Sequence, residues 1–204
     1  MIKLIVTIAF SLTLMTSSVL AQLTTVKIEN FGSIGLPKNM EIQGGVYKEI
    51  TEKIKEVNGV SASKVIFQQK NLNTADKSSF NTYARVFVRT QQGNNGDFKK
   101  LKDVLTAAEA NDVNSEFKNK IESEAPRNNA TILEWYKARV TTLNNQDVIT
   151  FGYKRQIGSN PPVKVETFMF QNYDKLHIVT FEYRIDENNW GSTFTNVKSS
   201  IKIL

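Results

Sequence analysis

The amino-acid sequence predicts an α+β fold built on a mainly antiparallel sheet. Two observations carry this. From Ile132 to Ile185 four β-rich runs follow one another, with only short polar connectors between them. Helical stripes, with apolar residues spaced three and four apart, stand apart from those strands in the chain. Helices segregated from hairpin-joined strands give an antiparallel sheet with helices packed on it.

The first segment lies outside that fold. Lys3 precedes an uncharged apolar run from Leu4 to Met15, which is shorter than the ~20 residues a membrane span needs. Thr16-Ser17-Ser18 breaks the run, and Val19-Leu20-Ala21 offers small side chains where a signal peptidase reads them. Residues 1–21 are therefore expected to be a cleavable signal peptide, cut between Ala21 and Gln22. Of the 204 residues, 183 then remain as a single domain, 22–204, with no stable transmembrane anchor after cleavage. The expected location is periplasmic or secreted.

Composition narrows the chemistry. The formal net charge is +6, and loss of Lys3 makes it +5. The cations are dispersed, so no nucleic-acid partner is expected. The chain has no cysteine, which excludes thiol nucleophiles, cysteine metal sites and a lipid-anchored N-terminus. An exported chain of this size without cysteine suggests a bacterial protein stabilised by core packing alone.

Taken in order, residues 22–43 read as a hairpin. Val26 and Ile28 alternate with Lys27 and Glu29, Asn30-Phe31-Gly32-Ser33 supplies a turn, and Met40 and Ile42 alternate with Glu41 and Gln43. Tyr47, Ile50, Ile54 and Val57 form one helical stripe over 46–57. Val65–Phe67 and Tyr83–Val88 are strand runs, followed by an apolar-free loop over 91–97. Phe98, Leu101, Leu105 and Ala108 predict a helix capped by Asp97. Val113, Phe117 and Ile121 carry the helical region on to 124, with a break near Asn111. Four strands follow, at Ile132–Leu143, Val148–Ile157, Val163–Phe170 and Leu176–Ile185. Trp190, Phe194, Val197, Ile201 and Leu204 then predict an amphipathic helix closing the chain.

The stretch from Phe31 to Glu41, and the stretch Ile178–Arg184 with Trp190 and Val197–Ile201 after it, resemble the PsbP-like family, which also includes the bacterial DcrB-like proteins. Phe31-Gly32-Ser33-Ile34-Gly35-Leu36-Pro37-Lys38-Asn39-Met40-Glu41 is similar to the family's opening strand. Ile178-Val179-Thr180-Phe181-Glu182-Tyr183-Arg184, then Trp190, then Val197-Lys198-Ser199-Ser200-Ile201, looks like its last strand and closing helix. The resemblance implies a three-layer α/β/α sandwich. It transfers no catalytic residues, because the family shares none, and fold does not set function.

Few residues carry recognisable catalytic or metal-binding patterns. His177 is the only histidine, on the strand face of Val179, Phe181 and Tyr183, and reads as a packed imidazole. One histidine cannot build a multi-histidine metal site, and no Gly-x-Ser-x-Gly elbow exists. Glu166 and Glu182 fall on neighbouring strands and are expected to face each other, either as a carboxylate pair or as part of a salt-bridge ladder. Trp135 and Tyr136 are adjacent on one strand, so they point to opposite faces; with Lys137 and Arg139 beside them, an exposed aromatic there can anchor a partner.

The expectation is an exported, non-enzymatic binding protein without cofactor or metal, whose partner is a protein or envelope component. Trp135, Tyr136 and Arg139 are the candidate contacts. Two alternatives stand beside it: a periplasmic immunity or inhibitor protein using an edge such as loop 91–97, and a carboxylate-based hydrolase.

Overall fold

A computed structural model describes residues 22–44, 63–72, 83–101, 105–186 and 188–204. The signal segment with Ala21, and the helix expected over 46–57, lie outside the described residues.

Among the described residues, ten strands form two sheets. The larger contains β3 (Met40–Ile42), β4 (Ser63–Gln69), β5 (Ala84–Gln92), β6 (Ala130–Leu143), β7 (Gln146–Ile157), β8 (Val163–Asn172) and β9 (Lys175–Arg184), in the spatial order β3-β4-β5-β9-β8-β7-β6. Every pairing in it is antiparallel. The smaller is made of β1 (Leu23–Ile28), β2 (Gly32–Pro37) and β10 (Lys202–Ile203), with β2 central. The expected first hairpin is thus β1 and β2, while β3 crosses to the larger sheet.

The last four strands of the large sheet follow the sequence pattern closely. Asn144 and Asn145 take positive φ of 52° and 63° between β6 and β7, the geometry that closes a two-residue hairpin without splaying its strands. Register places Val86, Phe181 and Glu166 in one transverse row, and Val88, Val179 and Phe168 in the next. That face holds the core: Phe67, Val86, Val88, Phe168, Phe170, Val179 and Phe181 are all buried, together with Phe31 and Ile34 of the small sheet. Helix α2 (Asn188–Ser199) packs there through Trp190, Phe194 and Val197, with Phe194 5.1 Å from the Phe181 ring and 5.5 Å from Tyr183. Helix α1 (Ala107–Glu124) lies against the opposite face, where Phe117 stacks on Phe151 at 4.5 Å.

The helical expectations are corrected at two ends. Phe98 does not open a helix; it bridges to Tyr173, its N–H donating to the Tyr173 carbonyl at 2.8 Å. Asp97 instead accepts the Asn94 N–H at 2.7 Å and closes its own loop. The helix begins at Ala107, where Thr106 and Glu109 form a reciprocal capping box, and it runs through Asn111 without a break. The second correction is at the C-terminus. The apolar spacing continues to Leu204, but α2 stops at Ser199 and Lys202–Ile203 becomes a strand on β2. The Asn144 amide donates to the carbonyls of Lys198 and Ile201 at 3.0 and 2.8 Å, satisfying groups freed at the helix end. Gly32, at φ +132°, permits the strand to approach: a Cβ there would sit 2.0 Å from the Lys202 carbonyl oxygen.

Candidate functional site

β6 is the end strand of the large sheet among the described residues, and two irregularities break its register with β7. In the second, Lys137 and Ala138 together oppose the single residue Phe151, between the pairs Tyr136↔Gly152 and Arg139↔Thr150. Such a bulge bends an edge and re-aims its side chains. Here it opens a groove of about 460 Å³, lined by Tyr136, Lys137, Arg139, Gly152, Lys164 and Glu166 among others.

Each wall has a cause in the sequence. Gly152 faces Tyr136 across the strand pair, and a Cβ on it would stand 3.2 Å from the Tyr136 ring and 2.6 Å from the Val165 carbonyl oxygen. The glycine gives the tyrosine a flat floor. Lys164 Nζ lies over the Tyr136 ring, 5.6 Å from its centroid. Trp135 points the opposite way, as adjacent strand residues must. Its Nε1–H donates to Asn114 Oδ1 of α1 at 2.8 Å, and its ring stacks near Phe151 and Tyr153. The same Asn114 oxygen accepts the bulge amide of Ala138 at 3.2 Å, so one helix side chain holds both the indole and the bulge. Trp135 and Tyr136 are half-buried, while Lys137 and Arg139 are exposed.

The carboxylates are separated. Glu166 is paired in register with Phe181, and Glu182 with Val165, so the two point to opposite faces of the sheet. The expectation that they face each other is overturned: they are one residue out of step. Glu166 accepts Lys198 Nζ at 2.9 Å and Lys164 Nζ at 3.1 Å. Burial disfavours its charge, but these two ammonium groups outweigh burial and hold the carboxyl below its usual range. Glu182 is buried and accepts from both Arg155 and the Tyr83 hydroxyl at 2.8 Å. Burial, reinforced by the Glu182 charge, raises the Tyr83 hydroxyl above its usual value and pushes Tyr153 up to about 12. The two carboxylates therefore belong to two separate ion-pair networks.

His177 is fully buried, with Nδ1 3.0 Å from the Thr90 hydroxyl and its ring edge-on to Phe31 at 5.5 Å. Burial, with Lys175 adding to it against the opposing pull of Asp174, lowers its pKa to about 4. It is a core residue at the seam of the two sheets. Among the described residues no three His, Asp or Glu side chains are placed to hold a metal ion.

Of the residues singled out from sequence, the structure brings Tyr136 and Arg139 to the groove with Trp135 behind them. The sequence does not single out Gly152, Asn114 or Lys198; of its two readings of Glu166, the ion-paired one matches the contacts with Lys164 and Lys198. The lone glycine within a strand pattern was the available signal. Nothing in the sequence marks Asn114.

No family model matches the chain, and no curated protein is similar to it in sequence. Among solved structures it is similar to cyanobacterial PsbP (CyanoP) from Synechocystis sp. PCC 6803, at a TM-score of 0.53 and 15% identity over 90% of this chain and 94% of that one. That likeness establishes a PsbP-like fold, mixed α and β with mostly antiparallel sheets.

Proposed function

We propose that residues 22–204 form an exported, non-enzymatic binding protein of the DcrB-like kind, a three-layer α/β/α sandwich that acts in the periplasm or outside the cell. It engages a protein or envelope component through the groove at the β6 bulge. One observation carries this reading: an aromatic ring pinned over Gly152 lies beside two exposed cations, Lys137 and Arg139. Tyrosine and arginine are among the residue types enriched at the energetic centres of recognition surfaces. The groove's carboxylate, Glu166, is committed to two lysines, which suits a wall better than an acid or base.

Export is supported by the three-part N-terminal pattern ending at Ala21-Gln22. N-terminal sequencing of the envelope fraction is expected to read from Gln22; a start at Met1 overturns that part. For binding, Arg139→Glu combined with Tyr136→Ala is expected to keep the protein folded, with a melting temperature lowered by no more than a few degrees, and to abolish co-purification of the partner from envelope extract. Unchanged co-purification overturns the groove as the site.

The inhibitor reading draws on a different observation. Gln91 and Gln92 of the expected 91–97 loop belong to β5, and the rest is held in place, the Gly93 N–H donating to the Asp174 carbonyl at 2.8 Å and the Asn94 N–H to the Asp97 carboxylate. A single stoichiometric partner lost on loop substitution, and kept in the groove variant, would favour it.

A further inference from the structure

The ligand class of the groove follows from the strand that forms it. β6 closes one side of the sheet, with no strand beyond it among the described residues. In an antiparallel sheet, alternate backbone groups of an edge strand point outward, where they template another strand. Proteins often blunt such edges with bulges, and β6 has irregularities between Ile132 and Glu134 and between Tyr136 and Arg139. After the second one, however, the register from Arg139 to Leu143 is unbroken. The bulge amide itself is occupied by Asn114, which leaves the regular ladder to start at Arg139.

Charge selects the occupant. The groove beside this stretch offers Lys137, Arg139 and Lys164 against one carboxylate, Glu166, which Lys198 also neutralises. The exposed β6 acid nearest to it, Glu134, is ion-paired with Lys154. A second copy of this chain fits poorly: two-fold pairing centred on the bulge sets Lys137 against the other copy's Arg139, and the net charge of +5 left after loss of Lys3 opposes self-association.

Resting on the groove being a binding site, we propose that it takes an acidic peptide segment in extended conformation. The segment adds as a strand along Arg139–Leu143 and seats a carboxylate side chain between Lys137 and Arg139, over the Tyr136 ring. Main-chain hydrogen bonds give such strand addition its affinity, and the pocket gives it specificity. Arg139 suits the carboxylate through its planar pair of donors.

The test uses the mature protein and two ten-residue peptides, one alternating glutamate with threonine, the other lysine with threonine. Fluorescence polarisation of the end-labelled peptides follows binding, and amide hydrogen exchange locates it. The acidic peptide is expected to bind at least tenfold more tightly than the basic one. It is expected to protect amides between Arg139 and Leu143 and to leave those of β3, at the other end of the sheet, unchanged. Lys137→Glu with Arg139→Glu, both exposed and tolerant of change, is expected to reverse the preference. Equal affinities, binding without β6 protection, or protection that rises with protein concentration alone each overturn the proposal, the last in favour of a second copy. If the acidic peptide fails while the Arg139→Glu, Tyr136→Ala variant still loses its envelope partner, the groove stands and strand addition falls. If both fail, the site itself is wrong.

Discussion

On one face of the large sheet, Val86, Phe168, Val179 and Phe181 meet Phe194 and Val197 of α2 and Phe31 and Ile34 of the small sheet. On the other, Tyr83, Arg155 and Glu182 form a buried ionic network, the Thr167 and Thr180 hydroxyls meet at 3.1 Å, and α1 covers the surface through Phe117 and Asn114. The first face is held by contact among large apolar rings. The second is held by charge-assisted bonds as well as by rings, and there removing one partner of a buried ion pair costs more than the intact pair returns. The difference separates residues that make the fold from residues that tune its edge, and the groove lies where the end strand joins the two faces.

Truncation on the apolar face should have the largest effect. Phe194→Ala removes a fully buried ring that touches Phe181, Tyr183 and Trp190, and is expected to cost about 3–5 kcal/mol in urea unfolding. Phe151→Ala, on the half-covered face, should cost about half as much. Equal losses would erase the distinction.

On the polar face, Arg155→Met leaves Glu182 buried with the Tyr83 hydroxyl as its remaining donor among the bonds described. We expect a loss of about 2–3 kcal/mol, most of it recovered when Glu182→Leu is added, since removing both charges removes the unpaired one. A double variant no better than the single would show that the network contributes through packing instead.

His177 gives the apolar face its own pH dependence. Its folded-state pKa of about 4 lies below the ordinary 6.5, so between these values the unfolded chain binds the proton that the folded chain refuses. The stability it supports is complete above pH 6.5 and lost as pH falls toward 4, by about 2–3 kcal/mol. Glu166, whose pKa is lowered, loses its contribution at still lower pH. Urea midpoints at pH 7 and pH 4.5 should therefore converge in His177→Gln; an unchanged gap assigns the acid sensitivity to carboxylates.

The smallest effect is expected at the join. Asn114→Ala removes the acceptor for Trp135 Nε1 and for the Ala138 amide, at a cost of about 1–2 kcal/mol, and should shift Trp135 emission to the red as the indole loosens. Unchanged emission would mean that stacking on Phe151 and Tyr153 alone fixes the indole.

Legibility from sequence followed this division. The apolar face was readable because alternation at period two and stripes at three and four residues report burial directly: the four late strands, the Trp190–Phe194–Val197 stripe and the core position of His177 all appear where the pattern placed them. Element ends were less readable. Asp97 satisfies the residue preference of a helix cap, yet its loop is claimed by Tyr173 and Asp174 across the chain. Likewise Ile201 keeps the helical spacing after the helix has ended, because it is buried from a different backbone geometry. The pairing of Glu166 with Glu182 failed for another reason: a one-residue offset in register moves a side chain to the other face, and hairpin spacing alone does not fix that offset. For the groove, the aromatic pair and Arg139 were visible in sequence. The bulge that brings them together was not, because it is a mismatch in length between two strands.

The most direct test of the account is photo-cross-linking in intact cells with a benzophenone side chain placed either at Arg139, in the groove, or at Arg89, exposed on β5 of the same sheet. The account predicts a discrete adduct with an envelope component from position 139 and none from position 89. Adducts from both positions alike, or from neither, would contradict it.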